Sequence, residues 1–147
     1  MSAVNKTLAA ACALFSLSAC GKEVGRIPFT GEATNRTALQ LSAGNVAFWT
    51  DLDVEYEAGA ALAYTIALEQ GGRTVATATC DPLGQMSVQI GWVRSQRGTP
   101  HSRSGNGKMT CSATLTSGGP TTVEAVLAFT GKPSVFTLKR ADLVIKQ

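Results

Sequence analysis

Few side chains in this sequence have the chemistry to act on a substrate, and each needs particular neighbours to do so. A Ser or Cys nucleophile needs a base to take its proton, usually a His that is oriented by a third group. The single His, His101, lies between Arg94 and Lys108, in a stretch whose Gly, Ser and Pro residues predict a mobile loop rather than a preorganised site. No Gly-x-Ser-x-Gly nucleophile elbow is present. Gly105-Asn106-Gly107 is followed by no helical pattern and predicts no nucleotide site. A hydrolase built on His101 is therefore the weakest functional reading, and the expectation is a protein that is not an enzyme. The same stretch carries Arg94, Arg97, Arg103 and Lys108 and no acidic residue, and it is longer than an ordinary hairpin connection. Together with His101, these residues read as a loop that contacts an anion or a partner: lipid phosphate, an acidic glycan or an acidic protein surface. The plainer reading is a solvated insertion.

Asp51, Asp53, Glu55 and Glu57 alternate along one segment. Alternate residues of a strand point the same way about 7 Å apart, whereas calcium needs six to eight oxygens converging on a point. These carboxylates diverge, so the expectation is a solvated strand face, no metal and no cofactor. Trp49 shares their parity and is expected to be exposed, where it would stack on a sugar or simply pack.

The segments that must position these groups have period two. Val46, Phe48, Thr50, Leu52, Val54 and Tyr56 occupy even positions, with acids between them. Leu62, Tyr64, Ile66 and Leu68 repeat the pattern, and Gly71-Gly72 supplies a tight turn into Arg73–Cys80. Asp81-Pro82-Leu83-Gly84 turns the chain again before Met86, Val88, Ile90 and Trp92, whose alternation predicts one core-facing row. Further strands are expected at Met109–Leu115, Val123–Phe129 and Val135–Ile145, with a weaker one at Thr37–Ser42. About eight short strands with regular turn signals predict an all-β chain forming a single antiparallel β-sandwich, immunoglobulin-like or jelly-roll-like.

The N-terminus carries an address. One cation, Lys6, precedes an apolar run from Leu8 to Leu17, then small residues and a cysteine. About ten apolar residues cover only half of a ~30 Å hydrocarbon core, too little for a spanning helix. Leu17-Ser18-Ala19-Cys20 resembles the lipobox of bacterial lipoproteins. That resemblance covers only the first 20 residues. It implies diacylglycerol transfer to the Cys20 thiol, cleavage after Ala19 and acylation of the new amino terminus, with palmitate-type chains. Two or more such chains suffice for stable membrane anchoring. Gly21 stands where an Asp would retain a lipoprotein in the inner membrane, so the expected place is the outer membrane, facing the periplasm. The competing readings are a plain secretory signal that leaves Cys20 as a free thiol, and a secreted eukaryotic chain glycosylated at Asn35-Arg36-Thr37.

The resulting division is a signal peptide over 1–19, a lipidated tether over 20–34 and a sandwich over 35–147. With Cys12 removed and Cys20 lipidated, Cys80 and Cys111 remain as one pair in an oxidising compartment, and a structural disulfide is expected. A net charge of +3 with no basic run excludes nucleic acid as a natural partner. Residues 32–81 hold seven acids against two bases and residues 82–147 two acids against eight bases, which predicts a dipolar surface unless the strands interleave. The expected function is a non-catalytic interaction or assembly module of the cell envelope, with the membrane and an envelope protein as partners. The alternative is a module that binds glycan or another envelope polymer.

Overall fold

The computed structural model describes residues 21–95 and 100–147. Within them the chain forms nine strands: β1 (Glu23–Ile27), β2 (Ala33–Leu41), β3 (Gly44–Tyr56), β4 (Ala61–Gln70), β5 (Arg73–Cys80), β6 (Met86–Ser95), β7 (His101–Leu115), β8 (Gly119–Gly131) and β9 (Phe136–Lys146). They make two antiparallel sheets, β1-β9-β3-β7-β6 and β2-β8-β4-β5, packed face to face as a sandwich.

Of the two expected subtypes, the strand order is that of a jelly roll. The chain pairs outermost with outermost, β1 with β9 and β2 with β8, and then β3 with β7 and β4 with β5. Eight strands complete that arrangement. β6 is a ninth, added outside β7 at the edge of the five-stranded sheet.

Period two becomes packing. Val46, Phe48, Thr50, Leu52 and Val54 of β3 are buried, and they face Leu62, Tyr64, Ile66 and Leu68 of β4 in one core. One polar link crosses that core. The Tyr64 hydroxyl donates to the Ala141 carbonyl at 2.6 Å and lies 3.1 Å from the Thr50 hydroxyl, so its buried oxygen is satisfied from the opposite sheet. Burial pushes the Tyr64 phenol above its ordinary pKa. Cys80 of β5 and Cys111 of β7 form the expected disulfide, with Cα atoms 5.4 Å apart, and clamp the two sheets together at this side.

The lead-in differs from expectation. Residues 23–27, assigned by sequence to a tether, are β1, paired with β9, and the expected domain start at 35 falls inside β2. Pro28 and the glycines suggested a linker, but the apolar residues decide: Ile27 and Phe29 are fully buried, and Phe29 packs against Tyr64 with ring centroids 5.8 Å apart. Beyond β1, Lys22 and Gln147 exchange both backbone hydrogen bonds.

The charge asymmetry along the sequence does not become two charged halves, because β3 and β9 are neighbours. Asp51 accepts from Arg26 and from Arg140, Asp142 accepts from the same Arg26, and Lys139 reaches Glu55. The hydrogen bond to Glu23, followed by those to Asp142 and Asp51, holds the Arg26 guanidinium above its ordinary pKa. Two of the four acids in the Asp51–Glu57 row, Asp51 and Glu55, are thus ion-paired across the sheet. Among the described residues no cluster of three or more His, Cys, Asp or Glu could hold a metal.

Candidate functional site: the added strand and its groove

β6 is an edge strand, hydrogen-bonded within its sheet to β7 alone. The four-stranded sheet ends at β5, which lies across from β7, so β6 extends the five-stranded sheet past its partner sheet. Two irregularities shape it. Its pairing with β7 shifts between Met86 and Val88 and again between Ile90 and Val93, where Gly91 takes a left-handed φ of 61°. The bulges overturn the expected single row. Met86 and Trp92 pack on the core side, whereas Ile90 and Val93 are 50% and 62% exposed on the outer face.

The glycines that suggested a mobile loop have a different use. Residues 101–115 are one long strand, and Gly105 and Gly107 sit where β6 and its side chains press on β7. A Cβ on Gly105 would meet the Gly91 carbonyl oxygen at 2.6 Å and the Trp92 Cα at 2.8 Å. One on Gly107 would meet the Met86 thioether at 2.9–3.0 Å. Bare backbone is what admits the bulge and the Trp92 indole.

This geometry disperses the expected cationic loop. Arg103 is only 3% exposed: its guanidinium donates to the carbonyls of Leu83 and Gly84 and lies over the Trp92 ring, 4.9 Å from its centroid. Burial first, and then the neighbouring charge of Arg94, lowers its pKa from the ordinary value. It ties the β5–β6 turn to the sheet and is not free to meet a partner. His101 is half-buried at the start of β7, its ring centroid 5.7 Å from that of Tyr56. Lys108 pairs with Trp49 further along the sheet, away from the other cations. Arg94, directly opposite Arg103 in the ladder, is exposed. Arg97 and Cys20 lie outside the described residues, as does the signal segment.

Trp49 is a second correction. It has the expected outward parity but is 1% exposed, with the Lys146 ammonium 3.8 Å from its ring centroid and Val144 beside it in the ladder. An indole capped in this way offers no platform for a sugar.

What the structure does assemble is an open groove of about 650 Å³ between the β5–β6 turn and β6, lined by Leu83, Gly84, Gln85, Met86, Ser87, Gln89 and Arg94. Two carboxamides and a guanidinium, with no acid among them, can donate hydrogen bonds to carboxylate, phosphate or hydroxyl oxygens, while the Ser87 hydroxyl donates to the Lys108 carbonyl at 3.3 Å. Only Arg94 of this group was legible as a site residue. The Gln and Ser residues carry no motif, and they converge only because the bulge at Ser87 turns the strand. No protein-family model, curated protein or solved structure matches this chain.

Proposed function

We propose that this chain is a lipid-anchored module of the bacterial cell envelope, at the outer membrane and facing the periplasm, that captures an envelope protein partner without catalysing a reaction. The anchor is Cys20 and the contact face is β6. The observation that carries the reading is the ninth strand itself. Eight strands complete the jelly roll, yet β6 is retained at the edge with exposed Ile90 and Val93 on one side and the Arg94 groove on the other. A sheet edge with exposed apolar residues is a recurrent place for protein association. The position of His101, ring against ring with Tyr56, supports a structural role for the one imidazole.

A second reading places an acidic envelope glycan in the groove, favoured by the donors of Gln85, Gln89 and Arg94 around an open, polar floor. The two are separated by photo-cross-linking in cells from a reactive residue introduced at Ile90, with a second at Val75 on the opposite sheet's edge as control. Capture of one defined envelope protein from position 90 and not from 75 supports the assembly module. Glycan carried along with no protein supports the polymer-binding reading, and equal capture from both positions removes β6 as the contact face.

A further inference from the structure

The strand β1 fixes how the protein stands on its membrane, an inference that rests on the anchoring of Cys20. Only Gly21 and Lys22 separate that cysteine from Glu23, the first residue of β1, so the anchor reaches the folded sheet within about 10 Å. Those two residues are not slack either, since Lys22 is closed against Gln147 by backbone hydrogen bonds of 2.7 and 3.1 Å. A lipid at residue 20 therefore has no flexible spacer, and one end of the sandwich must lie at the bilayer.

The register identifies that end. Glu23 pairs with Lys146, and Lys146 with Ala47, three residues from the start of β3 at Gly44. Gly44 pairs with Leu115, and Leu41 with Gly119. The Gln147 side chain bonds both the amide and the carbonyl of Ser42, and the Gln70 side chain bonds the Ser117 carbonyl. The turns at 42–43, 71–72 and 116–118 thus gather around the end of β1 that faces the anchor. The turns themselves contain no acidic side chain and are small and neutral, and the charges beside them are Lys22, Arg73 and Lys146 against Glu23 and Glu69. That excess of base over acid favours an anionic bilayer at this end. At the other end, Arg94 pairs with Arg103 and Arg103 with Val54, seven residues beyond Ala47, which sets the groove's Arg94 about 24 Å further along the strands.

We propose that the sandwich stands end-on on an anionic lipid surface, with the turns at 42–43, 71–72 and 116–118 against the headgroups and the Arg94 end of β6 held away from the membrane.

The test uses the full lipidated protein in vesicles of phosphatidylethanolamine and phosphatidylglycerol, nitroxide-labelled at one of two exposed sites, Ala43→Cys in the first turn or Ala58→Cys at the far end. Relaxation by a nickel chelate attached to lipid headgroups is read for each label. The orientation predicts relaxation at 43 at least threefold stronger than at 58. Equal relaxation at both sites, or stronger relaxation at 58, in protein that floats with the vesicles overturns the orientation while leaving the anchor intact. Protein that does not float, with Cys20 unmodified by mass, overturns the anchor and the orientation with it.

Discussion

Lys22 and Gln147 face each other across the first and last strands and exchange both backbone hydrogen bonds, so the sandwich is closed two residues after Cys20. That pairing turns what reads as a tether into part of the fold. Under the proposed lipidation of Cys20, it makes the anchor and the domain one mechanical unit. The predictions that follow concern the core link, the clamp between the sheets, the packing under β6 and the groove.

Tyr64→Phe removes the hydroxyl that joins the sheets and leaves the Ala141 carbonyl and the Thr50 hydroxyl buried without it. The expected loss is about 1–3 kcal/mol, read from the midpoint of urea unfolding at unchanged slope. The same residue sets an alkaline limit. Its pKa is raised in the folded state, so its contribution is fully present below the ordinary value of about 10 and is lost as pH rises above it. Wild-type stability should fall through that range more steeply than that of Tyr64→Phe.

Cys80→Ser and Cys111→Ser should each cost roughly 3–4 kcal/mol, the value expected for closing a loop of about 30 residues, and the double variant should be no worse than either single. Additive losses in thermal unfolding would argue that the two thiols act independently.

Gly105→Ala should destabilise more than Gly107→Ala. The first Cβ meets backbone at Gly91 and Trp92 and the residue has a φ of 130°, whereas the second meets the flexible end of Met86. A loss of about 1–3 kcal/mol is expected for Gly105→Ala, accompanied by a change in Trp92 emission.

Arg94 and Arg103 should separate. Arg103→Met leaves the carbonyls of Leu83 and Gly84 without their donor and should lower the melting temperature. Arg94→Ala, at an exposed groove position, should leave melting within about 0.5 kcal/mol of wild type and weaken partner capture several-fold. Equal losses of stability would make both arginines structural.

Strand content was legible wherever period two ran unbroken, as at 46–56 and 62–68, because one buried face leaves no alternative register. The reading failed where the physics is not local. Two bulges in β6 reverse which residues face the core, and nothing in Met86–Trp92 marks them except Gly91. Gly105 and Gly107 read as loop residues because their purpose, clearance for Trp92 and Met86, exists only once β6 lies on β7. Trp49 has outward parity yet is covered by Lys146, a neighbour 97 positions away in sequence. The Arg94–Lys108 cluster drew attention through its charge, and of the described members only Arg94 lines the groove.

The most direct test of the account is the mass of the mature protein's first tryptic peptide, isolated from membranes of the native producing cell. The account predicts a peptide that begins at Cys20 and ends at Lys22, carrying diacylglycerol on sulfur and an acyl chain on the amino terminus. A free Cys20 thiol, or an amino terminus at any other residue, would contradict it.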